Sequence, residues 1–189
     1  MTGLNLHLLE MIMAGCRSLT YDLNGNKKNF FPILFWFIFL PFLLSGLTYS
    51  LNWKFPNDSI GLIVSILGIF TALIFGVIFI APDKFSQRIE LYKDTDDDSI
   101  NNYLIRFENF ANSFVEYITL IIICAVFLIL CMLTIVLFKQ DEVKLIFSSI
   151  SVVLSVEFIQ LIFVLLSNIY ILLKDDIRIA KQTRNKSKK

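Results

Sequence analysis

Glu157 is the one ionisable side chain that lies well inside a long apolar run of this sequence. It follows Leu145 by 12 residues, which in a helix is about 18 Å at ~1.5 Å per residue, close to the middle of a bilayer. A charge at that depth costs at least ~3 kcal/mol, and no Lys or Arg inside an apolar run can pair with it. The position predicts one of three roles: a neutral, hydrogen-bonded structural carboxyl, a group that lines a pore or ion path, or a switch or sensor.

Other polar side chains accompany Glu157 along the same run. At about 100° per residue, Gln160 and Asn168 lie on the Glu157 side of the helix, together with Ser149 and Ser167. Three more serines lie nearly opposite, at Ser148, Ser151 and Ser155. The run therefore has two polar faces. Either one face lines a cavity, or both bind neighbouring helices through hydrogen bonds.

The residues that usually carry catalysis are scarce. The single histidine, His7, has no acid or thiol at a telling spacing, and the sequence contains no HExxH, GxSxG or phosphate-binding loop. Cys124 and Cys131 lie seven residues apart within an apolar run, where we expect small buried hydrophobic side chains rather than a disulfide or metal site. We expect no enzyme activity, no cofactor and no metal.

Four apolar runs must position these side chains. Of 189 residues, 56% are hydrophobic and only 17% are charged, more apolar surface than one soluble core can hide. The runs cover residues 30–49, 60–81, 117–138 and 145–173, each long enough to cross a bilayer as a helix. The composition excludes a soluble enzyme, a secreted disulfide scaffold and a disordered chain. It predicts an all-α, polytopic membrane protein with four transmembrane helices, spans 1 to 4.

Prolines and acidic residues predict where two of these spans bend or end. Pro41 at the centre of span 1 predicts a kink, which serves either a bent lipid-facing helix or a functional hinge. In span 2, Asp58 and Ser59 predict the start and Pro82 the end.

The distribution of Lys and Arg predicts the orientation. With an even number of spans, both termini and the loop between spans 2 and 3 share one side, which carries 14 basic residues against three on the other. The positive-inside rule places that side in the cytoplasm. The predicted segments are a cytoplasmic arm (1–29), a transmembrane hairpin (30–81), a cytoplasmic helical hairpin (82–116), a second transmembrane hairpin (117–173) and a basic cytoplasmic tail (174–189). The tail is expected to touch anionic lipid, and direct nucleic-acid binding is not expected at a net charge of +1.

Small residues form a stripe along span 2, at Gly61, Ser65, Gly68, Ala72 and Gly76. Helices in lipid associate by close approach over such residues. The stripe predicts a helix–helix contact, either within the chain or with another copy.

The loop between spans 2 and 3 has an apolar face with helical spacing. It comprises Ile100, Tyr103, Leu104, Phe107, Phe110, Ala111 and Phe114. Acidic residues at 96–98 favour a helix start, so the face is expected to continue into span 3 as one helix. Phe85, Ile89 and Tyr92 form a shorter stripe on the other arm. This face either packs on itself and the membrane surface or docks a soluble cytoplasmic protein, with Tyr103, Phe107, Phe110 and Phe114 as the anchors.

The chain resembles KwaA, the membrane subunit of the bacterial Kiwa antiphage system. The shared features are its size, four spans with both ends inside, the lack of a catalytic motif and richness in Lys, Asn, Ile and Phe. The resemblance covers the general plan and no motif, so no residue role is carried over. It implies a homo-oligomer in the bacterial inner membrane that senses phage attack and works with a soluble DNA-binding partner. The alternative is an oligomeric ion channel or pore-forming effector, holin-like or depolarising, which Glu157 and the polar fourth span favour.

Overall fold

The computed structural model describes residues 2–22, 25–92 and 98–186, and within these ranges the chain is almost entirely helical. The helices are α1 (Thr2–Leu19), α2 (Phe30–Leu34), a π-helical segment (Phe35–Phe39), α3 (Leu40–Ser50), α4 (Asn57–Tyr92), α5 (Asp98–Leu137) and α6 (Asp141–Lys186). Four stretches are long and apolar enough to cross a membrane: Phe31–Ser50, Asn57–Val77, Ile100–Leu137 and Asp141–Ile179. The all-α class and the four apolar helices are confirmed.

The helix boundaries confirm one sequence prediction and correct another. Helix α5 begins at Asp98 and runs unbroken to Leu137, as the acidic start and the apolar spacing predicted. The prediction that Pro82 ends span 2 was wrong, because α4 continues through it to Tyr92. Proline removes one backbone hydrogen bond, and the residues beyond it gain packing when Phe85 contacts aromatic rings of α5.

The chain divides into two compact units. Unit 1 comprises Met1–Lys28, Ile78–Tyr117 and Phe163–Lys189, and unit 2 comprises Asn29–Val77 and Ile118–Ile162. The middle loop was predicted to have Asp94 to Asp98 at its tip. Residues 94–97 lie outside the described residues, as do the side chains of Ile89 and Tyr92, and Asp98 begins α5.

Unit 1 is held together by contacts between α5 and the C-terminal part of α6. Ile100, Tyr103 and Ile179 form a buried cluster, with Phe107 packed against it. Elsewhere in the unit the hydroxyl of Tyr117 donates to the carbonyl oxygen of Ser18 at 2.9 Å, which ties the end of α1 to α5. The basic tail is therefore helical as far as Lys186, and Ile179 belongs to the core of this unit.

Unit 2 has α5 at its centre. The α5 residues buried to 2% exposure or less are Ile118, Ile121, Ala125, Leu128, Met132 and Ile135, and their spacing follows one helical face. Large apolar side chains on α3 and α4 are exposed instead, among them Phe42, Leu47, Leu62, Ile69 and Leu73. Such a surface suits lipid, which is as apolar as the side chains themselves. An ion pair between Lys54 and Asp141, at 3.0 Å, joins the loop between α3 and α4 to the first residue of α6.

Candidate functional site

Pro41 changes the backbone hydrogen bonding of span 1. A helical N–H usually donates to the carbonyl four residues back, but the N–H of Leu40 donates to Phe35, five residues back. The carbonyl of Trp36 then has no donor in its own helix. Its partner at four residues, Leu40, is already engaged, and its partner at five residues, Pro41, has no N–H. The distortion predicted at Pro41 thus takes the form of a π-helical segment on its N-terminal side.

Gln160 supplies the missing donor. Its side-chain Nε2 donates to the carbonyl oxygen of Trp36 at 2.8 Å, across 124 residues of sequence. Proline is tolerated within membrane helices when a neighbouring helix satisfies the carbonyl that it frees, and α6 does so here for span 1. The other amide atom, Oε1 of Gln160, is buried and has no hydrogen-bond partner among the described residues.

Glu157 and Asn168, the other two intramembrane polar residues predicted from sequence, have different surroundings. Glu157 lies three residues before Gln160 on the same helix face and is partly buried in unit 2. Asn168 belongs to unit 1, where its side chain hydrogen-bonds to the hydroxyl of Tyr117. The polar face of α6 therefore does not serve a single site.

The opposite, serine-rich face of α6 also binds its neighbours. Ser148 is fully buried, and its Oγ accepts a hydrogen bond from the backbone N–H of Phe55 at 3.3 Å. On the same helix the carbonyl of Leu154 accepts a hydrogen bond from the thiol of Cys124 on α5 at 3.2 Å. The first contact joins α6 to the loop before α4 and the second joins it to α5, which favours hydrogen bonding to neighbouring segments over a cavity-lining role. On the same face the Oγ of Ser151 is buried and has no hydrogen-bond partner among the described residues. Within the described residues, no group of three or more His, Cys, Asp and Glu side chains could hold a metal ion.

The aromatic face of α5 is covered by the chain itself. Tyr103, Phe110 and Phe114 are only 2%, 4% and 5% exposed. The ring of Phe85 on α4 lies edge-on to Phe107, Phe110 and Phe114, with centroid distances of 5.6, 5.9 and 5.3 Å. In this structure three of the four predicted anchors are therefore buried and Phe107 is partly buried, and docking at these rings stays a prediction. Periodicity identified an apolar face correctly, but it carries no information on which segment covers that face.

A polar cluster that sequence reasoning missed fastens α6 to the same stretch of α5. Asp175 is buried, and its carboxylate pairs with Arg106 at 2.8 Å and with Arg178 at 3.2 Å. Beside it the hydroxyl of Tyr103 donates to Asp176 at 3.2 Å. We call these five residues the α5–α6 clamp. The sequence offered one signal for this cluster, which is the pair of adjacent acids at 175–176 within an otherwise basic tail. Where such acids are buried they are usually paired with basic side chains.

The small-residue stripe of α4 is exposed in the part of the chain that the structure describes. No atom outside its own helix backbone lies within 4 Å of the position that a Cβ would take at Gly61, Gly68 or Gly76, and Ser65 and Ala72 are exposed. Among the described residues the structure shows no intrachain contact at these three glycines. Contact with a second copy remains a prediction.

Burial also affects the end of the N-terminal arm. Lys28 is half-buried, and desolvation lowers the pKa of its ammonium group, an effect that the nearby carboxylate of Asp22 opposes. The charge on Lys28 therefore costs folding energy that the charge on Lys27, which is exposed, does not.

Comparison of the chain with protein families, with curated proteins and with solved structures finds no match. Its class rests on the fold alone: an all-α protein with four apolar helices of membrane-spanning length.

Proposed function

We propose that this chain is a sensor or scaffold subunit of the bacterial inner membrane that binds a soluble cytoplasmic protein. The observation that supports it best is the continuity of α4, α5 and α6 from apolar stretches into unit 1. There the helices are fastened by the aromatic contacts of Phe85 and by the α5–α6 clamp. In the proposed role, a change in the apolar part of one of these helices would reach the bound partner along the helix itself.

The cytoplasmic placement of unit 1 is part of the proposal and rests on the excess of Lys and Arg on one side. Reporter fusions after Lys54 should report outside, and fusions at residue 95 or at the C-terminus should report inside. An outside signal from residue 95 would remove the basis for a cytoplasmic partner.

The setting that we propose is antiphage defence, with a homo-oligomer in the membrane and a DNA-binding protein as the partner. Its support is the resemblance of the general plan to KwaA. Phage challenge of cells with and without the gene and its neighbours tests the setting, while partner capture tests the role.

Partner binding can be tested at exposed apolar positions of unit 1. Ile105 and Ile177 are 54% and 58% exposed. Both lie outside the spans predicted at residues 117–138 and 145–173, so we propose them as contacts for the partner. We expect Ile105→Glu and Ile177→Glu to insert and fold normally but to lose a partner that crosslinks to the wild type in native membranes. Asn102→Glu, at another exposed position of α5, is the matched control. Full activity in cells that lack every candidate partner gene would contradict the proposal.

A pore is the second candidate, favoured by Glu157 and by the unpaired Oε1 of Gln160 in unit 2. Purified protein in planar bilayers would then conduct ions, and Glu157→Gln would change the selectivity among cations. The sensor or scaffold role predicts no conductance and a nearly silent Glu157→Gln variant.

A further inference from the structure

A helix could pass Pro41 in either of two backbone registers, and only one of them leaves the carbonyl of Trp36 without a donor in its own helix. In an α-helical register Leu40 would donate to Trp36, and the carbonyl of Phe37 would face the nitrogen of Pro41 without a donor. In the observed π-helical register Leu40 donates to Phe35, so the carbonyl of Trp36 has no donor within span 1. Adjacent residues point about 100° apart around a helix, so the two unpaired carbonyls face different neighbours.

The Gln160 amide matches only one of these registers. Its Nε2 meets the carbonyl of Trp36, the oxygen that the π register frees. In the α register this oxygen would already accept from Leu40, and the amide would have no freed carbonyl to bind. An unpaired backbone carbonyl in an apolar environment is costly, so the hydrogen bond from Gln160 stabilises the π register selectively.

We infer that Gln160 on α6 holds span 1 in its π-helical register, and that breaking this one hydrogen bond returns the span to an α-helical register. The π segment contains one residue more than the α-helical turn that it replaces. Its loss therefore rotates the part of span 1 before Pro41 by about 100° relative to the part after it. The exposed rings of Phe31 and Phe35 would then face a different direction.

This device does not depend on the proposed function, because a sensor, a scaffold and a pore could each use it. It gives the predicted hinge at Pro41 a defined second state and a defined control residue. Two discrete arrangements set by one contact are what coupling between helices requires.

The two tryptophans of the chain make the register measurable. Because Trp36 and Trp53 are the only tryptophans, ¹³C-carbonyl labelling of Trp gives two signals in solid-state NMR of the full chain in lipid bilayers, and Trp53→Phe assigns them. With ¹⁵N in glutamine side chains, we expect dipolar contact between Trp36 and a glutamine nitrogen. In Gln160→Leu that contact is lost and the Trp36 carbonyl signal shifts by more than its line width. Gln140→Leu, at an exposed position, is the matched control and should change neither.

The variant Pro41→Ala tests whether Gln160 is needed only because Pro41 lacks an N–H. It restores an N–H at position 41, which can donate to Trp36 in the π register or to Phe37 in the α register, so the carbonyl no longer needs Gln160. We expect Gln160→Leu to shift the Trp36 signal in the wild type and to leave it in place in Pro41→Ala. An equal shift in both backgrounds, or none in the wild type, overturns the inference. If Gln160→Leu alone cannot be purified, the double variant Pro41→Ala/Gln160→Leu should still be recovered at wild-type yield. Failure to recover the double variant would overturn the inference, because Gln160 would then do something other than replace the N–H that Pro41 lacks.

Discussion

Phe85→Ala would remove the ring that joins the end of α4 to the start of α5. This ring lies edge-on to three others, Phe107, Phe110 and Phe114, at centroid distances of 5.3 to 5.9 Å. Aromatic pairs contribute about 0.5–1.5 kcal/mol each beyond their buried area, and truncating a fully buried Phe costs about 3–5 kcal/mol. Since Phe85 is only partly buried, we expect the free energy of unfolding to fall by about 2–3 kcal/mol, below the fully buried case.

Thermal unfolding of the purified protein in mild detergent measures this loss. For a chain of this length about 1 kcal/mol corresponds to ~2–4 °C, so Tm should fall by roughly 5–10 °C. The matched control is Phe163→Ala, at a ring that is 66% exposed, which should change Tm by much less. Equal shifts for the two variants would refute the reasoning. They would mean that Phe85 does not stabilise the packing of α4 against α5.

Three further predictions concern the clamp, the N-terminal arm and the stripe. Arg106→Leu should lower the free energy of unfolding by about 1–3 kcal/mol, less than a fully buried pair would lose, because it leaves the buried Asp175 with one partner. Chemical or thermal unfolding measures the loss. The double variant Arg106→Leu/Asp175→Leu should recover part of it, and additive losses would contradict the pairing. Lys28→Met should raise Tm slightly at neutral pH, because burial lowers the pKa of Lys28 and its charged form therefore costs folding energy below that pKa. The gain in Tm should vanish as the pH rises past the ordinary lysine pKa. An equal gain from Lys27→Met would show that burial is not the cause. Gly68→Leu should leave the fold of the single chain intact, because no described atom of another segment lies within 4 Å of its Cβ position. A lower yield of folded monomer would contradict the structure. A reduced particle mass in native mass spectrometry would show that the stripe joins two copies.

The sequence was informative where the signal was local. The spacing from Ile100 to Phe114 and the acids before it are properties of one segment, and they located α5 and its continuity with span 3 correctly. Pro82 misled for the same reason: a local rule ends a helix at proline, but packing of Phe85 beyond it outweighs one lost hydrogen bond. Local preference is often overridden by tertiary contacts of this kind.

The candidate site was only half predictable. The sequence identified Pro41 and Gln160 separately, as a distortion and as a polar residue within a span. Their connection through the Trp36 carbonyl is a tertiary contact over 124 residues that no periodicity encodes. The burial of the aromatic face was unpredictable for a related reason. Ile179, which packs on Tyr103, lies in a tail that the sequence characterised only by its charge, and Phe85, which contacts the other three rings, lies on another helix.

The hydrogen bond between Gln160 and Trp36 also imposes an order on biogenesis. The two residues are 124 positions apart, so at about 5–20 residues per second the ribosome needs roughly 6–25 s to make the donor after the acceptor. By the inference above, span 1 is α-helical during that interval, because the side chain that holds the π register has not yet been made. The conformation of the first span to be synthesised is thus decided by the last, and truncated chains that end before α6 would present a differently rotated first helix to the insertion machinery.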